Sequence, residues 1–467
     1  MVFSSAAFLY FFLPVVLGLY FAVPGRWRNA ILLLASLFFY AYGEPAYCLL
    51  LLFSSLLGYL HGLWIEKARG TRLARAALAS SIVTIAGLLL FFKYTNFFIA
   101  NLNRIARAGI APLNIALPLG ISFYTFQILS YTIDLYRGRA GVQRSFLNFA
   151  TYVAMFPQLV AGPIVRYTTV EKELARRSHT LEGFARGVSR FVAGLAKKVL
   201  LANTLGEIGE IYTRMGQPTV LFSWIAVFAF MLQIYFDFSG YSDMAIGLGH
   251  IFGFHFPENF NYPYISRSIT EFWRRWHISL SSWFRDYVYI PLGGNRVPPL
   301  AWARNILVVW FLVGFWHGAE WNFVLWGLYF GVMLILEKWL IQRLLGKLPS
   351  PCAHLYALFF LTISFAIFNA HGAGEAAAQL MAMFGLQGLP LANAETVYYV
   401  RSYLVVFIVA GIAATPLPAA VLKKIRCHAA GEKLLNLLEP AANAALLLLA
   451  TAYLVDGTFN PFLYFRF

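Results

Sequence analysis

Charged side chains are scarce in this chain, and their scarcity decides its class. Only 12% of the 467 residues are charged, whereas 60% are hydrophobic, and the mean hydropathy is +0.67. A soluble globular protein carries about 25% charged and about 45–50% apolar residues. The composition therefore excludes a soluble enzyme and predicts an integral membrane protein. An aromatic content of 18% suits such a protein, because aromatic side chains form belts at the membrane interfaces.

Cysteine is also nearly absent. The chain has only Cys48, Cys352 and Cys427, which lie far apart and form no CxxC pair. This distribution excludes a disulfide framework and a cysteine-based zinc site, and no other metal site is predicted. The start of the chain lacks the positive region of a signal peptide, and its apolar run is long for one. We therefore expect a retained first helix.

Acidic residues are fewer than basic ones, which leaves a formal net charge of +16. The basic residues cluster between apolar runs and follow no nucleic-acid-binding pattern, so nucleic acid is not an expected partner. They follow the first, third and fifth runs, beginning with Arg26 and Arg28, whereas the second loop carries none. The positive-inside rule then predicts an N-terminus outside the cell and odd-numbered loops in the cytoplasm.

Apolar runs recur along the whole chain, and several are shorter than the roughly 20 residues of a full crossing. Some must be tilted, re-entrant or buried within a bundle. We predict an all-α polytopic membrane protein with about ten to twelve membrane helices in a single domain, residues 1–467. Its most charged stretch, residues 165–191, is typical of an amphipathic helix or helical pair on the membrane surface. His179 in this stretch is more typical of a surface histidine than of a ligand.

The first of two polar stretches is FWRRWHISLSSWFRDYVYIPLGGNR, residues 272–296. As a helix over residues 272–287, it has an aromatic face and a polar face, with His277 on the seam. The charged residues of the polar face are Arg274, Arg275, Arg285 and Asp286. This pattern is typical of a helix that lies at the interface or lines a polar cavity. An interfacial anchor, with arginines on the phosphates of membrane lipid, explains the periodicity equally well.

The second polar stretch, FLVGFWHGAEW, places His317 inside an apolar run over residues 305–336. As one helix this run would be about 48 Å long, against a hydrocarbon core of roughly 30 Å. It is too short for two full crossings and a turn, so we expect a break near His317 and Gly318 at membrane depth. Irregular backbone at that depth is tolerated only where it lines protein or a wet cavity. Glu320 close by strengthens the case for a functional histidine.

An imidazole in such a place is suited to acyl transfer. It can take a proton from an acceptor hydroxyl as that group attacks a thioester, and it can then protonate the leaving group. The nucleophile-elbow pattern GxSxG is absent from the sequence. Its absence favours direct base-assisted transfer over a serine acyl-enzyme.

Two acids, Asp237 and Asp243, lie in or beside an apolar helix, where an ionisable residue is a functional candidate. The alternative is a structural role in which an arginine such as Arg274 or Arg275 holds each acid. A secondary transporter or flippase could use the same acids for ion coupling. Such transporters are often built from inverted repeats, and we find no self-similar halves in the sequence.

Three segments together resemble the membrane-bound O-acyltransferase family: YFDFSGYSDMAIGLG, ENFNYPYISRSITEFWRRWHISLSSWFRDYVYIPLGGNR and GFWHGAEWNFVLWG. The likeness continues through LPLGISFYTFQILSYTIDLYRG, FPQLVAGPIVRY and the terminal NPFLYFRF, and it is strongest to the bacterial polysaccharide acetylases. This resemblance implies a ring of membrane helices, with re-entrant or interfacial helices, around a central tunnel. It also implies a multi-pass location in the bacterial cytoplasmic (inner) membrane.

The resemblance further implies a reaction. Acetyl-CoA would be the acyl-donor substrate on the cytoplasmic side, with no cofactor. The acetyl group would pass to an exported, alginate-like polysaccharide, or to a periplasmic or surface partner protein that acetylates it. Peptidoglycan O-acetylation and D-alanylation of teichoic acid are the alternatives within the same mechanism.

The resemblance also implies residue roles. The histidine of the WHGA motif, His317, corresponds to the principal catalytic residue of the family, and His277 of RRWHIS is the second residue linked to activity. The acid of DFSGYSD, Asp237 or Asp243, is a weaker candidate. Phe330 departs from the family, because relatives often carry a histidine there. Candidate tunnel or supporting residues are Tyr235, Arg274, Arg275, Arg285, Asp286, Trp316 and Glu320.

Overall fold

The structure, a computed structural model, describes residues 1–160, 162–457 and 462–463. These residues form helices joined by turns and loops and contain no β-strand, which confirms the all-α prediction. The terminal motif NPFLYFRF lies outside the described residues except for Phe462 and Leu463. The α-helices are α1 (Leu13–Ala22), α2 (Arg28–Ala41), α3 (Pro45–Lys67), α4 (Arg72–Ala106), α5 (Ile121–Tyr136), α6 (Phe146–Ala154), α7 (Phe156–Leu159), α8 (Tyr167–Ala175), α9 (Leu181–Ala196), α10 (Asn203–Arg214), α11 (Val220–Ile251), α12 (Ile269–Arg275), α13 (Ile278–Phe284), α14 (Pro299–His317), α15 (Trp321–Leu336), α16 (Gln342–Leu345), α17 (Ser350–Asn369), α18 (Ala373–Met383), α19 (Ala394–Ser402), α20 (Leu404–Ala413), α21 (Leu417–Arg426) and α22 (Ala429–Asp456).

Within the described residues, seven helical segments are long and apolar enough to cross a membrane, or up to eight if the bent pair α19 and α20 forms one span. The seven are α3, α4, α11, α14, Trp321–Leu345, α17 and α22. The predicted number of ten to twelve was therefore too high. Several apolar runs form helices shorter than the roughly 20 residues of a crossing. Examples are α2 with 14 residues, α5 with 16 and α6 with 9.

The chain forms two compact units, and each contains segments from separate parts of the sequence. One unit comprises Met1–Phe191 and Tyr241–Pro257, and the other comprises Val192–Gly240 and Glu258–Phe467. Helix α11 contributes its first part to the second unit and its last part to the first. His277 and His317 both belong to the second unit. A single domain over residues 1–467 stays a prediction.

The helix predicted over residues 272–287 is broken at His277. Helix α12 ends at Arg275 and α13 begins at Ile278. His277 between them has φ +44° and ψ +54°, the left-handed conformation that ends a right-handed helix. The break is held from a distance in sequence, because the Ile278 N–H donates to the carbonyl oxygen of Asn259 at 2.9 Å. A second irregularity follows, a π-helical turn over Arg285–Tyr289.

The predicted break after His317 is confirmed. Helix α14 ends at His317, Gly318 is extended, and α15 begins at Trp321. The premise that the run is too short for two crossings was wrong, because the helices continue past its ends. Helix α14 has 19 residues, and the segment Trp321–Leu345 has 25. The charged stretch over residues 165–191 forms a helical pair, α8 and α9, as predicted.

Helices α14 and α15 touch backbone to backbone through Gly314 and Gly327. A Cβ atom at Gly314 would overlap the carbonyl oxygen of Phe323, and one at Gly327 would overlap the carbonyl oxygen of Trp310. Close approach of this kind is the reason that small residues are enriched where membrane helices pack. The contact fixes the position of α15 relative to His317, which ends α14.

We expect Gly314→Ala to destabilise the protein, because the added methyl group meets rigid backbone. The cost should be about 1–3 kcal/mol or more. Gly411→Ala is the matched control, since Gly411 lies in helix α20 with no atom near its Cβ position. That substitution should be neutral or stabilising. Thermal unfolding of the purified protein in detergent measures both, and equal melting temperatures for the two variants would contradict the tight helix contact.

Candidate active site

His317 is buried in an aromatic cage. Its ring centroid lies 5.0 Å from that of Trp316, 5.0 Å from that of Trp326 and 5.4 Å from that of Phe368. The interplanar angles are 70°, 84° and 86°, so each contact is edge to face. Gly318 permits this arrangement, because a Cβ there would overlap the Phe323 ring. The histidine is thus held by packing at the end of a helix.

His277 is oriented by hydrogen bonds instead. Its Nδ1 atom lies 3.1 Å from Asn259 Oδ1. The same oxygen accepts the Ser279 backbone N–H at 3.2 Å and the Ser279 hydroxyl at 2.9 Å. Because a backbone N–H can only donate, this atom of Asn259 must be the amide oxygen. His277 Nδ1 therefore carries the proton, and Nε2 is the basic nitrogen of the ring.

Burial keeps His277 neutral. The side chain is enclosed, and loss of solvation lowers its pKa from about 6.5 to about 3. A neutral imidazole with a defined tautomer can accept a hydrogen bond through Nε2 at any physiological pH. The sequence placed His277 on the seam between a polar and an aromatic face, whereas the structure places it inside.

The two histidines meet the same indole. The Trp316 ring lies 6.2 Å from the His277 ring and 5.0 Å from the His317 ring. On its other side His277 meets Phe238, whose ring stands edge-on at 4.7 Å. The structure thus brings together two residues that the sequence placed in separate stretches.

Tyr235 is buried in an aromatic cluster beside His277. Its ring lies 5.3 Å from that of Tyr264 and 6.3 Å from that of Trp276, the residue that precedes His277. The predicted supporting position of Tyr235 is compatible with these contacts, and its role stays a prediction.

Asp237 forms a buried ion pair with Lys198. The two side chains are 3% and 2% exposed, and Lys198 Nζ lies 2.5 Å from Asp237 Oδ1. The backbone N–H of Leu463 donates to the other carboxylate oxygen at 2.8 Å, and Lys198 Nζ lies 4.9 Å from the Phe462 ring. Lys198 was not predicted as the partner of Asp237, because it lies in none of the motifs recognised in the sequence. A buried charge needs such a partner to offset desolvation.

Asp243 belongs to the first unit, where Arg190 Nη2 lies 2.6 Å from its carboxylate. An arginine therefore holds Asp243, as the structural alternative predicted, but neither Arg274 nor Arg275 holds either acid. Arg274 is exposed. Arg275 pairs with Glu271 at 2.9 Å and donates to the carbonyl oxygen of Asn261 at 3.1 Å.

Three further candidates are Arg285, Asp286 and Glu320. Arg285 is exposed, pairs with the adjacent Asp286 at 2.7 Å and lines the apolar cavity described below. The Glu320 side chain is exposed and, among the residues the structure describes, makes no hydrogen bond or ion pair. Support of His317 by Glu320 stays a prediction.

An apolar cavity of about 150 Å³ adjoins the aromatic cage. Trp273 and Trp310 line it, and Trp273 also contacts Trp326, with centroids 5.7 Å apart. Phe330 continues this wall at 4.9 Å from Trp273 and 5.1 Å from Trp326. Phe330, the position that departs from the resemblance, therefore lies in apolar packing. A cavity of about this size is large enough for a molecule such as benzene, so a short acyl group fits.

Two indole N–H groups in this wall are available as donors. Nε1 of Trp273 and Nε1 of Trp326 are buried, and neither has a hydrogen-bond partner within residues 1–160, 162–457 and 462–463. A buried donor without a partner is costly. Trp326, Asn259 and Phe368 were not predicted as site residues, because aromatic and amide residues are common throughout this chain.

The buried, neutral state of His277 predicts a pH-dependent stability. The unfolded chain gains a proton on this residue below pH about 6.5, whereas the folded protein gains it only near 3. The contribution of His277 is therefore fully present above pH 6.5 and falls as the pH drops towards 3. His277→Asn should flatten the loss of melting temperature between pH 7 and 4.5. Asparagine suits this position because it tolerates a positive φ.

His428→Asn is the control for this measurement, since His428 is exposed. It should leave the slope of melting temperature against pH as it is in the unaltered protein. An equal slope in His277→Asn and His428→Asn would show that His277 is not held neutral by the fold.

Comparison with known proteins agrees with the geometry. The family described as "MBOAT, membrane-bound O-acyltransferase family" matches residues 137–368, which include both histidines. "Probable alginate O-acetylase AlgI" of Azotobacter vinelandii is 40% identical over all of both chains. Its Pseudomonas aeruginosa counterpart is 44% identical over 82% of this chain and 75% of that protein. The "Peptidoglycan O-acetyltransferase" of Helicobacter pylori is 34% identical over 84% of this chain and 81% of its own.

These relatives are bacterial and are named as acyl-transferring enzymes. With seven segments able to cross a membrane among the described residues, the chain is a multi-pass membrane protein, and its relatives place it in the bacterial inner membrane, as predicted. The chain belongs to the membrane-bound O-acyltransferase family and is a membrane O-acyltransferase.

Proposed function

We propose that this protein transfers an acetyl group from cytoplasmic acetyl-CoA, through a tunnel, to hydroxyls of an exported alginate-like polysaccharide. Transfer is direct or passes through a periplasmic or surface partner protein that acetylates the polymer. The observation that carries the proposal is the placement of His277 and His317 against Trp316 in a chain whose relatives include alginate O-acetylases. With two imidazoles beside the Trp316 ring, one can transfer the proton while the other orients the acceptor hydroxyl.

His317 is the general base in this mechanism. It takes the proton of the acceptor hydroxyl as the hydroxyl oxygen attacks the thioester carbonyl carbon. The tetrahedral intermediate then collapses, the carbon–sulfur bond breaks, and His317 returns the proton to the thiolate. The products are the O-acetyl ester and coenzyme A as its thiol. The aromatic cage excludes water from the imidazole and so favours the hydroxyl over hydrolysis.

His277 positions the acceptor. Its Nδ1–H is held by Asn259, so Nε2 faces the remaining surroundings as a hydrogen-bond acceptor. A hydroxyl that donates to this nitrogen is oriented without losing its proton, because His277 remains neutral. The acetyl end of the donor lies against the apolar wall that Trp273 forms.

Trp326 stabilises the charge that develops in the intermediate. Its ring contacts His317, and its buried N–H has no protein acceptor within the described residues. A preformed donor beside the reacting carbonyl can bind the oxyanion more strongly than the ground-state oxygen. This role explains why an aromatic wall contains polar indoles.

Acetylation of peptidoglycan is the second candidate, which the Helicobacter pylori relative favours. D-alanylation of teichoic acid would use the same base and another thioester. The transporter or flippase alternative is not retained, because basic side chains engage both Asp237 and Asp243 and the chain is an acyltransferase.

His317→Ala should lower acetyl transfer by about 10²- to 10⁴-fold, the usual contribution of a general base. Radiolabelled acetyl-CoA, membrane vesicles and polysaccharide acceptors of the alginate and peptidoglycan types provide the assay. His428→Ala is the control, since it removes an exposed histidine. Undiminished transfer by His317→Ala would overturn the proposed role, and labelling of one acceptor identifies the polymer.

Trp326→Phe should lower kcat by about 10²- to 10³-fold, as loss of one oxyanion donor does. Phenylalanine keeps an aromatic ring against His317, so the melting temperature should change little. Trp339→Phe, which alters an exposed tryptophan, is the matched control. A changed KM with an unchanged kcat would contradict a donor that acts in the transition state.

A further inference from the structure

The first unit contains a second cavity, of about 340 Å³, which neither of the two candidate catalytic histidines lines. The short loop before α2 forms one wall, and the loop between α8 and α9 forms another. Its volume lies within the range of about 300–1,000 Å³ that is typical of small-molecule sites. The lining residues are Gly25, Arg26, Arg28, Asn29, Asn148, Glu173, Leu174, Ala175, Arg176, Arg177 and His179.

The cavity has a strong excess of positive charge. Four of its lining residues are arginines, Arg26, Arg28, Arg176 and Arg177, and only one is an acid. In the part of the chain that the structure describes, no ion pair joins any of the four to a carboxylate. Uncompensated guanidinium groups in one cavity repel each other, so an anion bound there stabilises the fold.

The single acid does not neutralise this charge, because His255 engages it. Oε1 of Glu173 lies 2.6 Å from His255 Nδ1, and Oε2 accepts the His255 backbone N–H at 3.1 Å. The carboxylate is therefore held at the edge of the helical pair and offers no bidentate contact to the arginines.

A hydrogen-bond network of uncharged groups holds two of the four arginines, Arg28 and Arg177. Arg28 Nη1 lies 3.0 Å from His179 Nδ1, and since arginine can only donate, this nitrogen is the acceptor. His179 then carries its proton on Nε2 and donates to the Tyr20 hydroxyl at 3.0 Å. Tyr20 also accepts from Arg177 Nε at 3.2 Å and donates to the carbonyl oxygen of Phe252 at 2.9 Å.

This network fixes the positions of Arg28 and Arg177 but does not neutralise their positive charges. Burial, reinforced by Arg28 and Arg177, lowers the pKa of His179, which keeps the ring neutral. Arg177 is also stacked 4.5 Å above the Phe254 ring. Nε of Arg28 is buried and has no hydrogen-bond partner within the described residues. Preorganised guanidinium groups with spare donors match phosphate, which they bind bidentately.

We propose that this arginine cavity binds a phosphate ester. Two molecules carry that group at the membrane: a nucleotide-bearing acyl donor and an anionic phospholipid. The positive-inside pattern assigns the loop with Arg26 and Arg28 to the cytoplasmic side, where both are present. A carboxylate ligand fits less well, because its two oxygens can accept from fewer guanidinium groups than the oxygens of a phosphate ester can.

Pyrophosphate is the simplest probe, and isothermal titration calorimetry of the purified protein in detergent measures its binding. Arg26→Gln combined with Arg176→Gln removes two exposed arginines whose side chains make no hydrogen bond or ion pair with another described residue, so the fold should persist. We expect at least a tenfold loss of affinity, and weaker binding at higher salt. Arg186→Gln on α9 is the control, because Arg186 is exposed and lies outside the cavity.

Two outcomes would overturn the proposal: no pyrophosphate binding to the unaltered protein, or equal affinity in the double variant and the Arg186→Gln control. A melting temperature close to that of the unaltered protein shows that the double variant is folded. These measurements do not depend on acetyl transfer, so they succeed or fail independently of the proposed function.

Competition then identifies the source of the phosphate. Displacement of pyrophosphate by coenzyme A, more strongly than by coenzyme A lacking its 3′-phosphate, assigns the cavity to a nucleotide. Displacement by short-chain phosphatidylglycerol, but not by the matching diacylglycerol, assigns it to a lipid headgroup. Displacement by neither compound contradicts a phosphate-ester site.

Discussion

The side-chain oxygen of Asn259 is the acceptor on which the candidate active site depends. It receives hydrogen bonds from His277 Nδ1 and from two donors of Ser279, while the Asn259 backbone oxygen receives the Ile278 N–H. Asn259 thus stabilises the helix break, holds His277 in its left-handed backbone conformation and selects the tautomer of its ring. In an apolar interior such bonds are hard to replace, since an unsatisfied partner costs about 1–3 kcal/mol.

His317 is held by a different kind of force. Its cage is aromatic, and the cage depends on how closely α14 and α15 approach at Gly314 and Gly327. Aromatic packing encloses the ring, whereas hydrogen bonds fix the direction of a ring nitrogen. The two kinds of contact match the proposed division of roles, in which His317 takes the proton and His277 orients the hydroxyl.

Neutral histidines take part in hydrogen-bond networks in both units. His277 is held by Asn259 in the second unit, and His179 links Arg28 to Tyr20 in the first. A charged group in either place would demand a buried counter-ion, as Asp237 demands Lys198. The low content of charged residues in this chain is consistent with the desolvation cost of burying such ion pairs.

The sequence alone determined the membrane class, the helical fold, the family and the break after His317. Those properties follow from local composition and motif, because the transfer free energy of each segment depends on its own residues. Tertiary structure decided the rest: the break at His277, the partner of Asp237 and the arginine cavity. Each of these depends on hydrogen bonds or charges supplied by residues far away in the chain, such as Asn259 and Lys198, and periodicity contains no information about them.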